Sequence, residues 1–142
     1  MLNPIKAIIE FFQKSIPEPT EKNFHTQLGV HFEEVSEMVD MLTSDDAQTI
    51  IMVDDLSAAL NALSDRLKSK NSVVRVKSED RVLFLDGICD QIVTATGVGY
   101  MLKMNVVGGI HEVNRSNFSK FDENGNPIFN ENRKIMKGPN YS

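Results

Sequence analysis

Tryptophan is absent from this chain of 142 residues, and cysteine occurs once. With Cys89 alone there is no internal disulfide, which fits a reducing cytoplasm. Cys89 itself reads as core packing rather than as a nucleophile. Eight glycines and five prolines are modest numbers, and with no tryptophan they favour helices over a β-sandwich. The three histidines, His25, His31 and His111, lack metal-ligand spacing and read as structural or exposed. Gly97-Val98-Gly99 and Gly108-Gly109 lack the spacing and the lysine of a phosphate loop, and read as sites of close helix packing. No stretch reaches about 18 uncharged apolar residues, so no membrane span is expected. Lys6 and Glu10 interrupt the first apolar run and no small-residue cleavage site follows, so no signal peptide is expected. Internal repeats and low-complexity segments are missing.

What remains is a chain with 41% hydrophobic and 25% charged residues, long enough for one domain with a real core. The expected organisation is a single domain over residues 1–142, ending in an arm from about residue 121. The formal net charge of -5 argues against a nucleic-acid polymer as partner. The charge is uneven: residues 1–113 carry 10 Lys+Arg against 17 Asp+Glu, while residues 114–142 carry 5 against 3. An acidic body with a slightly basic tail suits a metal-bridged polyanion held from two sides, although random surface charge gives the same pattern.

The densest acidic stretch is Glu33-Glu34-Val35-Ser36-Glu37-Met38-Val39-Asp40. On a helix, Glu33, Glu37 and Asp40 lie close to one line with Glu34 beside them. Like charges this close repel by a few tenths of a kcal/mol per pair on an exposed helix, about 0.2–0.5. A cation among them relieves that repulsion.

In chain order, Asn3 caps a first helix with Pro4 at its first position. Ile5, Ile8, Ile9 and Phe12 form its apolar face, and Pro17 and Pro19 end it. A second helix spans Thr20 to Leu42, with Phe24, Leu28, Phe32, Val35, Val39 and Leu42 as its core stripe. Thr43-Ser44-Asp45-Asp46 breaks it and caps a third helix, Ala47 to Lys68. Val53, Leu56, Leu60, Leu63 and Leu67 give that helix a heptad seam. Lys68 and Lys70 read as an ordinary solvated helix end. Ser72 to Lys77 alternates like a strand but has no partner strand, so it reads as a loop. Ser78 caps a fourth helix, which runs to about Met104, is the most apolar and is expected to be central. Asn105 caps a fifth helix, to about Lys120. Asp122-Glu123-Asn124-Gly125-Asn126-Pro127 is turn chemistry, followed by a small hairpin or extended arm.

The fourth helix carries Asp86 and Asp90, one turn apart. Two carboxylates on a buried apolar helix are expensive unless paired or bound to metal. Gly87 between them lowers helix propensity by about 1 kcal/mol and allows close approach of a nucleotide or another helix. Glu34 and Glu37, with Glu33, on one helix and Asp86 and Asp90 on another thus form a candidate site for Mg²⁺ or Mn²⁺, which prefer oxygen ligands. The matching chemistry is metal-assisted attack of water on a phosphoanhydride. The competing reading is a solvated acidic face and two unrelated aspartates.

Glu33-Glu34-x-x-Glu37 followed by an acidic pair on a later apolar helix resembles the MazG-like all-α nucleoside triphosphate pyrophosphohydrolases. The branch is the one similar to phosphoribosyl-ATP pyrophosphohydrolase. The second motif there is usually E-x-x-D; this chain has Asp86-Gly87-Ile88-Cys89-Asp90, like the D-G-x-x-D of short phage and bacterial members. Ser116-Asn117-Phe118-Ser119-Lys120 and Lys137-Gly138-Pro139-Asn140-Tyr141 resemble the S-N-x-S-K and K-G-P-N-Y signature of that branch. The resemblance covers residues 5–141.

It implies an all-α fold: a MazG-like four-helix core, an additional helix and an extended C-terminal arm. It also implies hydrolysis of a (deoxy)nucleoside triphosphate to the monophosphate and pyrophosphate. Glu34, Glu37, Asp86 and Asp90 would then hold two or three Mg²⁺, with Mn²⁺ able to substitute. Glu33 would orient or deprotonate the attacking water, or serve as a further ligand, and Asp40 would be peripheral. Lys120 and Lys137 would contact phosphates, and Asn117 phosphate, sugar or a bound water. Tyr141 would cover the nucleotide. Phe12, otherwise core with Phe11, would lie near the base. Relatives form dimers or tetramers, so a homodimer or homotetramer is expected. Some short phage-type relatives act on purine deoxynucleotides, including (d)GTP, which makes (d)GTP the first substrate to try. Phosphoribosyl-ATP hydrolysis is the alternative within the enzyme class. A non-catalytic helical interaction module, working through the heptad seam, is the alternative outside it.

Overall fold

The computed structural model describes residues 3–69 and 73–128, and these are helical apart from turns and short connections. Five helices follow in order: α1 Pro4–Ser15, α2 Glu21–Asp40, α3 Ala47–Lys68, α4 Arg81–Met101 and α5 Val106–Phe118. The all-α expectation holds. The chain divides into two compact units, Pro19–Arg75 in one and Met1–Glu18 with Val76–Ser142 in the other.

The caps set most boundaries. Asn3 Oδ1 accepts from the backbone N–H groups of Ile5 and Lys6 at 2.9 and 3.3 Å, and Pro4 starts α1. Thr20 and Asn23 form a reciprocal capping box on α2. Asp46 accepts from Thr49 N–H at 3.2 Å and starts α3. Asn105 accepts from Gly108 N–H at 2.9 Å and starts α5. Ser78 does not cap α4. It lies in a 3-10 turn, Ser78–Asp80, that leads into the helix, and Asp80 at the N-cap of Arg81–Met101 makes no side-chain capping bond. That helix also stops short of Met104, because Lys103 adopts a left-handed φ of 58°.

In the Pro19–Arg75 unit, α2 and α3 form an antiparallel hairpin. Residues early in α2 meet residues late in α3, from Gly29 against Ser64 to Asp40 against Ser57. The interface is built of small and polar side chains. A Cβ on Gly29 would lie 2.9 Å from both the Ser64 carbonyl oxygen and Lys68 Cγ, so only glycine lets the backbones come this close. Ser64 Oγ donates to the Gly29 carbonyl at 2.6 Å. The single proton of Ser36 Oγ faces two acceptors, the Glu33 carbonyl at 2.7 Å and Asn61 Oδ1 at 3.0 Å. Val39 and Leu67 are the buried apolar residues of this interface.

This corrects the expected packing faces. Leu56 and Leu63, members of the heptad seam, are 50% and 41% exposed, while Ser57 and Ser64 beside them are buried. Leu42 of the expected α2 stripe is exposed as well. Leu67, at the end of the seam, is buried against α2, but Leu56 and Leu63 are turned away from it because Gly29, Ser36, Ser57 and Ser64, seven apart on each helix, allow a closer approach than leucines would.

In the other unit, α1 packs on α5 and on the turn that follows it. Phe11 is the hub: its ring stacks on Phe121 at 5.6 Å and meets Phe118 edge-on at 6.0 Å. Phe12 packs edge-on against Phe11 at 5.3 Å. Ile5 and Ile9 are exposed, so the inward face of α1 is centred on Phe11 rather than on the expected Ile5–Phe12 stripe. Lys14 Nζ sits over the Phe118 and Phe121 rings at 5.6 and 5.9 Å. Beyond α5, Asp122 Oδ1 accepts from Asn124 and Asn126 N–H, and Gly125 takes a φ of 76°. The turn is closed by an isolated antiparallel bridge between Phe121 and Pro127. The expected arm lies outside the described residues from residue 129 onward.

Helix α4 is the largest departure. It was expected to be central, yet none of its residues is buried. Val82, Leu83, Leu85, Val93 and Met101 are all more than half exposed, and so is its neighbour Leu102. Cys89, expected in the core, is exposed. Against α5, the close approach is at Gly99, where a Cβ would fall 2.5 Å from Val106 Cγ2. By length and composition alone Ser78–Met101 is long and apolar enough to cross a membrane. Asp86 and Asp90 near its middle would be costly in lipid.

Candidate functional site

The acidic motif of α2 falls in the middle of the helix, where the backbone is fully committed to helical hydrogen bonds and only side chains are free for chemistry. Ser36 and Val39 point toward α3 and are buried. The helical repeat therefore turns Glu34 and Glu37 outward, and both are exposed. The three-residue spacing keeps them neighbours on that face. Glu33 lies at the edge of the α3 interface, half-buried, and its Oε2 forms an ion pair and hydrogen bond with Lys68 Nζ. Asp40 accepts from Ser57 Oγ and so belongs to the α2–α3 interface.

Lys68 is thus not an ordinary solvated helix end. It is half-buried and engaged at both ends: its ammonium holds Glu33, and its carbonyl accepts from Lys22 Nζ at 2.7 Å. Sequence reading missed it because Lys68 and Glu33 are 35 positions apart. The signal available was Gly29, one turn before Glu33, which makes room for the lysine stem.

His25 is buried and structural. Its Nδ1 lies 2.7 Å from the Glu21 carbonyl, and its Nε2 accepts from Val74 N–H at 2.9 Å. The segment after α3 is tied by this ring to the first turn of α2, without strand pairing. Asp46 is held below the ordinary aspartate range by its side-chain and backbone hydrogen bonds to Thr49.

In the second unit, Asp86 and Asp90 are one turn apart on α4 and both exposed. The burial that made them look expensive is absent. The pair that is brought together is Asn117 and Lys120: Lys120 Nζ donates to Asn117 Oδ1 at 3.0 Å, both half-buried at the end of α5. Phe12 belongs to the aromatic cluster that includes Phe118, between these two residues in sequence. Just before them, Glu112 forms two hydrogen bonds with Arg115, which hold its carboxyl below the usual range. Lys137 and Tyr141 lie outside the described residues.

Among the described residues, no group of three or more His, Cys, Asp and Glu side chains is gathered as a metal site. The oxygen donors present nevertheless suit Mg²⁺ or Mn²⁺, because Mg²⁺ is often held by only one or two carboxylates and completed by waters and substrate phosphates. Glu34 and Glu37 alone meet that minimum. No family model, curated protein or solved structure matches the chain.

Proposed function

We propose that this chain is an Mg²⁺-dependent nucleotide pyrophosphohydrolase of the MazG-like kind. It would convert a (deoxy)nucleoside triphosphate, with (d)GTP the first candidate, to the monophosphate and pyrophosphate. The observation that carries the reading is the division within the α2 motif. Glu34 and Glu37 are open to solvent one turn apart, while Glu33 beside them is already partnered by an ammonium.

Glu34, Glu37, Asp86 and Asp90 would hold the metal, in this reading. The ion supplies acidity to water and neutralises phosphate charge. Glu33 orients the attacking water and accepts its proton as the water oxygen bonds to the α-phosphorus and pyrophosphate leaves. Asn117 and Lys120, already joined by a hydrogen bond, contact the phosphates, with Lys137 in the same role. In this reading Phe12 would lie near the base, and Tyr141, outside the described residues, would cover it. An enzyme of this kind works on a nucleotide pool and belongs in the cytoplasm.

A homodimer or homotetramer is part of the proposal. Its support is α4, whose exposed apolar side chains leave a surface larger than single scattered residues would. A second copy covering it would bury that surface as a core does.

Titration with Mn²⁺ separates this enzyme from a non-catalytic helical module. The wild type is expected to bind Mn²⁺, and Glu37→Gln to abolish that binding. Absence of binding in the wild type, or equal binding by both proteins, sinks the proposal.

A further inference from the structure

The ion pair between Lys68 and Glu33 divides the acidic face of α2 into two kinds of carboxylate. Lys68 is the last residue of α3, where a lysine ordinarily extends into water beside the helix dipole. Here it is fixed at three points. Its main-chain carbonyl accepts from Lys22 Nζ at 2.7 Å. Its stem lies where Gly29 has no side chain, with Cγ 2.9 Å from the position a Cβ would take. Its ammonium pairs with Glu33 Oε2. The preceding residues are equally constrained: Leu67 is 1% exposed and Ser64 is bonded to the Gly29 carbonyl. Both side chains of the pair are only partly exposed, 26% for Lys68 and 36% for Glu33, so solvent screens it less than a pair in open water.

A divalent cation approaching this face meets Glu34 and Glu37 as open carboxylates. To recruit Glu33 it would have to displace an ammonium that the hairpin itself holds in place. The lysine also fixes the direction of the Glu33 carboxylate, since its head group is anchored from α3 while Glu33 is carried by α2.

We infer that Lys68 is a positioning residue: it keeps Glu33 out of the metal's coordination and holds it as the carboxylate that orients water. This rests on the proposed pyrophosphohydrolase reading and gives Glu33 one role within it. Gly29 and Lys22 take part through Lys68, by making room for its stem and fixing its main chain.

The test compares wild type with Lys68→Met, which keeps the stem and loses the charge, and Lys68→Arg, which keeps the charge. Three readouts are taken on each full-length protein: thermal melting, Mn²⁺ binding to the free protein, and kcat and KM for the nucleotide that wild type turns over fastest. Lys68→Met is expected to lose about tenfold or more in kcat with KM within about twofold, because the loss falls on the step and not on binding. It is expected to bind Mn²⁺ about threefold or more tighter, because Glu33 becomes available and a positive charge is gone. Lys68→Arg is expected to restore both values to within about threefold of wild type. A Met variant that melts earlier but keeps kcat and Mn²⁺ affinity makes Lys68 merely structural and overturns the inference. So does a loss of kcat with unchanged Mn²⁺ affinity. A wild type that neither binds Mn²⁺ nor hydrolyses any nucleotide overturns the underlying enzyme reading and the role of Lys68 with it.

Discussion

Val74 donates its backbone N–H to Nε2 of His25 at 2.9 Å, from a segment that follows α3 to a ring in the first turns of α2. An acceptor at Nε2 requires the proton on Nδ1, which then donates to the Glu21 carbonyl at 2.7 Å. The ring is 5% exposed, so neither bond is replaced easily by water. Each nitrogen therefore does structural work, one within the helix and one across the chain.

His25→Ala removes both bonds and leaves a part-buried N–H without its acceptor, beside a gap. Unfolding by urea should show a loss of about 2–3 kcal/mol. Hydrogen exchange gives the sharper readout, since the Val74 amide should be protected in wild type and exchange faster in the variant. Equal exchange at Val74 in both proteins would contradict the assignment.

Gly29→Ala tests the close approach of α2 and α3. The added methyl would meet the Ser64 carbonyl and the Lys68 stem at 2.9 Å. The backbone atom cannot move aside cheaply, so helix separation is expected, with a loss of about 1–3 kcal/mol. Alanine in an exposed helix would do the opposite and stabilise by up to about 1 kcal/mol. The sign of the change in urea midpoint therefore decides the point.

Asp46 caps α3 at Thr49, whose hydroxyl and backbone N–H both donate to its carboxylate and hold it below the ordinary aspartate range. A folded-state value lower than the unfolded one stabilises the fold at higher pH, and the benefit disappears as the pH falls through the folded value. The difference in melting temperature between wild type and Asp46→Ala should be full at pH 7. It should shrink only below about pH 3.9, the ordinary aspartate value. A gap that is constant down to pH 2 would show that the charge on Asp46 is not what caps the helix.

Asp86 and Asp90 are exposed, so replacing them should leave the fold intact. Asp86→Asn and Asp90→Asn are each expected to change stability by no more than about 0.5 kcal/mol. If they are metal ligands, each should lower nucleotide turnover by about tenfold or more. Full activity in both variants would remove these two residues from the site.

The helices were legible because their ends carry local chemistry. Asn3, Thr20, Asp46 and Asn105 each bond to backbone within three residues, and such signals need no tertiary information. The packing faces were not, because the α2–α3 interface runs through Gly29, Ser36, Ser57 and Ser64 while Leu56 and Leu63 face outward. Hydrophobic periodicity locates an apolar face but does not say which partner covers it. Helix α4 illustrates the same limit: an apolar helix reads as buried, yet within one chain it is exposed. In the candidate site, Asn117 and Lys120 were named only through the S-N-x-S-K resemblance, and they meet because they lie three residues apart where α5 ends. Lys68 was not, because it reaches Glu33 only through the hairpin.

The central claim is that this chain cleaves between the α- and β-phosphates of a nucleotide. Purified protein incubated with each NTP and dNTP and Mg²⁺, with products separated and identified, tests it most directly. The expected products are one nucleoside monophosphate and pyrophosphate in equal amounts, with (d)GTP among the preferred substrates and no turnover after Glu37→Gln. Orthophosphate as the only inorganic product, or no turnover of any nucleotide, would contradict it.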